Sequence, residues 1–373
     1  MPPDDLTDEA DRVLRICTAC MYCDGLCAVF PAIAGKHDFT PNDLDYLANL
    51  CHNCRGCWYA CQYAPPHPFA VNLPNALAEL RQRSYADYAW PRWLGAGFAA
   101  NAGVVTAIVG GVTTLTLLAT ALLVPAEVLF AAHRGAGAFY QVVPWPIMAG
   151  AAAAALLWAV ISIGVSAISY WRSIAPRASL GATLRALVPA LRDIVTLRNL
   201  GGGGPGCNDA SEKFSQQRRW CHHIMVAGFL ASVASTLIAA LYHHALAIEA
   251  PYPLTSLPVL SGGIGGVAML IGIGGLLRLE RRADRAPSAA AEVRLNLVFL
   301  VLLALVAASG LAVLALRDTP AMGLTLSLHL GLVIGSFVVL PVSKAVHGVY
   351  RSMALLRAAI DRAVPRPRRG GEE

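Results

Sequence analysis

The sequence predicts an all-α membrane protein with a polar, cysteine-rich head in front of its membrane part. Hydrophobic residues make up 56% of the 373 residues and charged residues 14%, whereas soluble domains average about 25% charged. Mean hydropathy is +0.54. Six stretches lack Asp, Glu, Lys and Arg, and each exceeds the ~20 residues needed to cross the hydrocarbon core. They predict six transmembrane helices, at residues 93–126, 135–171, 220–248, 250–277, 295–316 and 319–343.

Charge divides the chain near residue 92. Residues 1–92 carry 7 basic and 11 acidic side chains, whereas the remainder carries 22 and 12, so the net charges are −4 and +10. Eight of the ten cysteines lie before residue 62. We therefore expect a head at 1–92, two transmembrane helices at 93–171, an Arg-rich loop with a glycine hinge at 172–219, four helices at 220–350 and a basic tail at 351–373.

The loops between the apolar stretches predict the orientation of the chain. Three loops on one side carry 20 Lys and Arg, and the three on the other side carry 2. Positive loops stay on the cytoplasmic side. We expect a multi-pass protein of the inner (cytoplasmic) membrane with both termini, and hence the head, in the cytoplasm.

Two cysteine runs share the spacing C-x2-C-x2-C-x3-C. Between them, Thr40-Pro41-Asn42-Asp43 predicts the start of a short helix, with an N-cap residue, a proline at the first position and an acid three residues after the cap. In ferredoxins with this spacing, three cysteines of a run bind one cluster and the fourth binds the other. The spacing therefore predicts two [4Fe-4S] clusters, one held by Cys17, Cys20, Cys23 and Cys61 and the other by Cys51, Cys54, Cys57 and Cys27.

Other interpretations of these cysteines have less support from the sequence. Ala28 and Gln62 replace the proline that usually follows the fourth cysteine, which affects local geometry but not the number of ligands. Structural zinc prefers two separated pairs, and disulfides are rare in a cytoplasmic domain. We interpret Cys207 and Cys221 as buried thiols outside the clusters.

Six histidines lie in or beside the apolar stretches, where histidine is rare and usually functional. If His329 and His347 share the sixth helix, their spacing of 18 residues is five turns and puts both on one face. On the third helix, His222 can share a face with either later histidine, and His223 with the second. The residues are His222, His223, His243, His244, His329 and His347.

These histidines predict one or two b-type haems with axial imidazoles from two helices. The inner pair would join His222 or His223 to His347, and the outer pair His243 or His244 to His329. The alternative is polar histidines that bind lipid or backbone. We interpret His52, His67 and His133 as non-ligands.

Three segments carry a resemblance that covers nearly the whole chain: residues 16–23 (ICTACMYC), 51–67 (CHNCRGCWYACQYAPPH) and 218–223 (RRWCHH). Together they resemble the family of tricarballylate utilization protein B, also called citrate utilization protein B. A similar module is fused to a flavoprotein in an oxygen-dependent cobalamin-synthesis enzyme. The spacing of His329 and His347 also resembles the haem subunit of respiratory nitrate reductase, and the head is similar to the helical ferredoxin domain of fumarate reductases.

The family resemblance implies a partner flavoprotein, tricarballylate dehydrogenase, whose reduced FAD is reoxidised by this chain. We expect electrons to pass through two [4Fe-4S] clusters and b-type haem to quinone. The run Gly201–Gly204 follows no strand, so we expect neither FAD nor NAD in this chain, and no nucleic acid. The basic rim at Arg218 and Arg219 is interpreted as binding lipid phosphate. Two other classes stay open: a transporter with a histidine relay, and an iron–sulfur redox sensor or assembly scaffold.

Overall fold

The computed structural model describes residues 3–99, 101–176, 178–201 and 205–364, and the elements in them are helices. Apart from helices, this part of the chain contains one isolated antiparallel bridge, between Cys207 and Ser215. The predicted all-α class is confirmed.

The head is built from five helices around one small apolar core. Its fully buried apolar side chains include Leu14 on α1, Phe30 on α2, Leu47 on α3 and Leu77 on α5. The helices are α1 (Pro3–Cys20), α2 (Val29–Ile33), α3 (Pro41–Leu50), α4 (Gly56–Tyr59) and α5 (Leu73–Asp87).

Helix α3 begins where its sequence predicts. The Thr40 side chain accepts a hydrogen bond from the Asp43 main-chain N–H, and the Asp43 carboxylate accepts one from the Thr40 N–H, which together form a capping box. Pro41 occupies the first turn, where its missing N–H leaves no helical hydrogen bond unmade. The helix ends at Leu50 and so delivers Cys51 as its C-cap residue.

Within the described residues, six helices are long and apolar enough to cross a membrane, as predicted. After a 3-10 turn (Arg92–Leu94) and α6 (Gly95–Ala99), the first of them begins. They are α7 (Asn101–Leu123), α10 (Trp145–Ile174), α12 (Gln217–Leu246), α13 (Leu257–Arg282), α14 (Ala290–Leu316) and α15 (Met322–Val339). The short helices α8 (Ala126–Leu129) and α9 (Ala138–Val142) lie between α7 and α10.

The membrane helices pack in a definite order. Helix α12 packs mainly on α13, α13 also contacts α14, and α14 contacts α15, which in turn packs on α7 and α10. Glycines bring α12 and α13 together: a Cβ on Gly272 would lie 2.7 Å from the Cys221 carbonyl oxygen, and one on Gly228 would lie 2.6 Å from the Gly265 oxygen. Small residues at such crossings let two backbones approach closely.

The sixth membrane helix is shorter than predicted, and this corrects the placement of His347. Helix α15 ends at Val339 and is followed by a 3-10 turn, Leu340–Val342, and an extended Ser343. Pro341 has no N–H to continue the helical hydrogen bonds. His347 therefore lies on a separate helix, α16 (Val346–Ala363), and the prediction that it shares one continuous helical face with His329 is wrong.

Two segments predicted as loop and tail contain packed helices. Residues 172–219 include α11 (Leu180–Val195) and a 3-10 turn, Arg198–Gly201. Residues 351–363 belong to α16, which packs against α11 and against α3 of the head. Residues 202–204 of the predicted glycine hinge and residues 365–373 of the predicted tail lie outside the described part of the chain.

Head and membrane part share one continuous apolar core. Four tyrosines, all at most 2% exposed, join the two: Tyr46, Tyr85, Tyr170 and Tyr350. The ring of Tyr350 on α16 lies 5.3 Å from that of Tyr85 in the head and 4.6 Å from that of Tyr170 on α10. The head is therefore fixed on the membrane part by buried aromatic contacts.

Candidate functional site

Cysteines from both runs meet at a first site beside the end of α1. Cys17 and Cys20 lie in its last turn, where the Met21 N–H bonds to the Cys17 carbonyl oxygen at 2.8 Å. Met21 itself has φ +48°, which turns the chain and brings Cys23 back. Cys61 follows α4. These four cysteines line an open cavity together with Cys57 and mostly apolar side chains, among them Phe30, Trp58, Val71 and Leu73.

A second site lies between α3 and α4. Cys51 caps α3, Cys54 follows it, and Cys57 lies on α4. Residues Asn53 and Arg55 have φ values of +53° and +63°, in the left-handed region, so the chain winds tightly between these cysteines. Cys27 reaches the site from the end of the first run.

The electrostatic interactions among the eight cysteines divide them into two sets of four. Burial, followed by the neighbouring Cys61, Cys23 and Cys20, raises the pKa of Cys17 to about 12. Burial also raises the pKa of Cys23 to about 11, with Cys61, Cys20 and Cys54 as neighbours. The first set thus contains three cysteines of the first run and one of the second.

The second set has the converse membership. Burial and the neighbouring Cys54 and Cys51 raise the pKa of Cys27 well above its usual range. Burial likewise raises the pKa of Cys57, followed by the charges of Cys54, Cys27, Cys51 and Cys23. Because Cys57 also lines the cavity of the first site, the two sites lie side by side.

Such buried thiols fit a cationic metal group. A thiol must lose its proton to bind metal, and buried neighbouring thiolates repel one another, so a positive charge has to offset both effects. Among the described residues, no three His, Cys, Asp or Glu side chains are close enough to share one metal ion. A zinc ion draws its sulfurs to about 2.3 Å from a single centre, whereas each cysteine of a four-iron cluster binds its own iron. Two sets of four thiols supply the number of ligands that two four-iron clusters need.

A larger cavity, of about 850 Å³, lies where the head meets α12, α13, α14 and α16; we call it the boundary cavity. It is lined by His52, Asn53, Leu200, Arg218, His222, Met225, Leu276, Leu279, Glu280, Glu292, Asn296, Phe299, Leu300, Lys344, His347 and Arg351. The lining combines apolar side chains with charged ones. His52 and Asn53 lie between two cysteines of the second site, so that site and this cavity adjoin.

His222 and His347 meet in the boundary cavity, with ring centres 6.4 Å apart and ring planes at 84°. Two imidazoles bound to one metal at about 2 Å each have centres about 6 Å apart. The Nδ1 of His347 contacts the Lys344 carbonyl oxygen, which only accepts, so Nδ1 carries the proton and Nε2 remains for a ligand. Burial, and then Arg351, hold the pKa of His347 well below its usual range, which keeps the ring neutral.

The structure distinguishes His222 from its neighbour. His223 is half-buried, and its Nε2 lies 3.1 Å from the Val195 carbonyl oxygen, outside the boundary cavity. The Nδ1 of His222 is buried, without a hydrogen-bond partner among the described residues. Of the two predicted candidates for the inner pair, His222 is therefore the one placed to bind a ligand with His347.

The outer histidines are not brought together. His243 stacks on Trp145 with ring centres 4.6 Å apart, and His244 lies edge-on to the same ring at 4.9 Å. His329 contacts the Ser309 Oγ through Nδ1 at 2.9 Å. Within the described residues, no ring contact joins His329 to either of the others, because α12 packs on α13 and not mainly on α15. The outer haem ligands stay a prediction.

The contacts of Arg218 contradict its interpretation as a lipid-phosphate ligand. Its guanidinium lies 2.5 Å from the Asp209 carboxylate and donates to the Asn53 carbonyl oxygen at 3.0 Å. Arg219 donates to the Thr196 carbonyl oxygen. The interpretation of Arg218 as a lipid-phosphate ligand is wrong, because its charge is turned inward to the loop that carries the second site.

Sequence reasoning also missed a buried ionic group beside the second site. The Glu292 carboxylate on α14 accepts hydrogen bonds from Arg81 at 2.6 Å, Lys344 at 2.8 Å and Asn53 at 3.1 Å. Its members come from α5, α14 and the turn before α16, far apart in sequence. The nearest sequence signal is the charge-free stretch of the fifth apolar segment, which begins three residues after Glu292.

Comparison with known proteins gives matches along nearly all of the chain. The family model described as citrate utilization protein B matches residues 100–368, and that of the citrate utilization protein B Fer4-like domain matches residues 10–87. The Escherichia coli protein named citrate utilization protein B is 39% identical over 355 residues, which cover 95% of this chain and 92% of that protein. No solved structure matches.

Proposed function

This chain belongs to the citrate utilization protein B family, and from this premise we propose that it is a membrane-bound electron carrier between a flavoprotein and quinone. Its Fer4-like head supports an iron–sulfur electron-transfer role. The partner would be a cytoplasmic FAD-dependent dehydrogenase, tricarballylate dehydrogenase by the family resemblance. The head would face the cytoplasm, as the positive loops predict.

The main support for this proposal is that the two cysteine sites and the boundary cavity lie next to one another. Two sets of four cysteines adjoin each other, and the second adjoins a cavity that contains His222 and His347. Cofactors bound along this line would form a path from the surface of the head to the membrane part, with two [4Fe-4S] clusters and one b-type haem as one-electron carriers.

The side chains of this protein would bind these electron carriers and fix their positions. The cysteines would hold the iron as thiolates, and His222 and His347 would supply imidazole nitrogens to the haem iron, with His347 oriented by the Lys344 carbonyl. The overall reaction balances: the reduced flavin gives up two electrons and two protons, and the quinone takes up the same number. We propose no proton path through the protein.

The test uses the purified full-length protein. We expect about eight non-haem irons per chain, the content of two four-iron clusters, and a b-type haem signal in the dithionite-reduced minus air-oxidised optical spectrum. We expect these signals to be reoxidised by added quinone. Iron without haem would remove the histidines from the path and favour a redox sensor; a protein with neither group would overturn the proposal.

A further inference from the structure

Two arginines, Arg81 buried and Arg351 half-buried, donate to the same main-chain oxygen at the second site. The carbonyl oxygen of Cys51 accepts from Arg81 at 2.8 Å and from Arg351 at 3.0 Å. Arg81 comes from α5 and is 1% exposed; Arg351 comes from α16 and lines the boundary cavity. Two guanidinium groups from distant helices therefore converge on one proposed cluster ligand.

The charges around this oxygen do not balance. Arg81, Arg351 and Lys344 bring three positive charges, and Glu292, which pairs with Arg81 and Lys344, brings one negative charge. Arg351 has no ion-pair partner in the part of the chain that the structure describes; its contacts are the carbonyl oxygens of Cys51 and Asn49. Buried charge without a counter-charge is strongly unfavourable. Glu280, the other acid in the cavity lining, pairs with Arg285, so the group keeps an excess of positive charge, which favours an anionic neighbour.

The first site has no such surroundings. Its cavity lining contains no Lys or Arg among the described residues and is mainly apolar and aromatic. It lies nearer the surface, beside Tyr22, which is 71% exposed. The two cysteine sets therefore differ in local charge and in position: the first is neutral and near solvent, the second is cationic and beside the boundary cavity.

We propose that Arg81, Arg351 and Lys344 raise the reduction potential of the second cluster above that of the first, so that electrons arrive at the first site and leave from the second. This rests on the proposed function. A cluster bound by four thiolates is anionic, and each added electron makes it more so; nearby cations stabilise the reduced form most. In the step itself, one electron leaves the first cluster and reduces the second, and no bond or proton moves.

The experiment is a redox titration of the full-length holoprotein, followed by electron paramagnetic resonance. The variants Cys20→Ala and Cys54→Ala identify which signal belongs to which site. We expect two separate potentials, with the second site higher. Arg351→Gln should lower the higher potential alone, and Arg351→Lys, which keeps the charge, should restore it. Glu292→Gln removes the negative charge and should raise it.

The matched control is Arg357→Gln. Arg357 lies on the same helix, six residues after Arg351, but it pairs with Asp43 at 3.2 Å and covers the ring of Tyr46, so both potentials should stay unchanged. If Arg351→Gln does not fold, Glu292→Gln tests the same charge group with the opposite sign. Equal potentials, or shifts at both sites together, would overturn the inference while leaving the proposed function intact. Absence of any cluster signal in the unmodified protein would overturn both.

Discussion

The ring centres of His222 and His347 lie 6.4 Å apart at the junction of head and membrane part, although one histidine begins the third membrane helix and the other lies beyond the sixth. Since only the second is oriented by a hydrogen bond to a carbonyl, the Lys344 oxygen, the pair has one fixed ring and one whose Nδ1 has no partner in the described residues. Binding of a ligand between them would fix both.

The first prediction concerns this pair. His222→Ala and His347→Ala should each abolish the inner b-type haem, because a six-coordinate iron needs both axial nitrogens. The measurement is haem per protein from the reduced-minus-oxidised spectrum. His223→Ala is the control, since that ring contacts Val195 outside the boundary cavity; its haem content should equal that of the unmodified protein. A full haem complement in His347→Ala would refute the assignment.

The two cysteine sets predict that replacing one cysteine of either set removes half of the non-haem iron. Cys20→Ala and Cys54→Ala should each reduce non-haem iron from about eight to about four per chain, because each removes a ligand of one four-iron cluster. Iron is measured colorimetrically on the purified variants. Cys221→Ala should keep all eight, since Cys221 lies on α12, away from both sets. A complete loss in both variants would show that the two sites cannot be filled independently.

The buried ionic group predicts a large effect on stability. Glu292→Ala leaves Arg81 and Lys344 buried without their shared carboxylate, which typically costs about 3–5 kcal/mol. The thermal unfolding midpoint of the detergent-solubilised protein should fall accordingly. For comparison, Glu9→Ala removes an exposed pair with Arg12, and such pairs are worth about 0–1 kcal/mol. Similar midpoints for the two variants would contradict the role given to Glu292.

The capping box predicts a smaller effect. Thr40→Ala removes the oxygen that accepts from the Asp43 N–H, and loss of an N-cap typically costs about 1 kcal/mol. Thr40→Ser keeps that oxygen and should unfold at nearly the normal midpoint. Because α3 delivers Cys51, hydrogen exchange at its first turn should also be faster in Thr40→Ala than in Thr40→Ser; equal exchange would argue against the cap.

Helix packing in the membrane part predicts a steric effect at one glycine and none at its neighbour. A Cβ on Gly272 would clash with the Cys221 carbonyl oxygen, whereas one on Gly274 has no atom within 4 Å. Gly272→Ala should force α12 and α13 apart, at about 1–3 kcal/mol, and lower haem content by displacing His222. Gly274→Ala should change neither thermal midpoint nor haem. Haem retention in Gly272→Ala would show that α12 can shift without loss of the site.

Features formed by residues close together in the sequence could be predicted, and features that join distant residues could not. Thr40 and Asp43 are three residues apart and their cap was predictable, as were the six apolar helices. The end of α15 was missed because a short proline-containing turn interrupts a stretch without charges, and His347 was therefore assigned to the wrong helix. The ionic group of Arg81 and Glu292 joins residues 211 positions apart, and neither residue stands out in its own segment.

The position of α16 late in the sequence determines the order in which the cysteine sites and the boundary cavity can form during synthesis of the chain. The boundary cavity takes parts of its wall from Asn53 in the head, His222 in the third membrane helix and Arg351 near the end of the described chain. Cys61 precedes Arg351 by 290 residues, so both cysteine motifs leave the ribosome long before the last wall of the cavity is made. Loading of the proposed clusters could begin on the nascent chain, whereas the cavity can be filled only after Arg351 has been made and the helices that wall the cavity have packed.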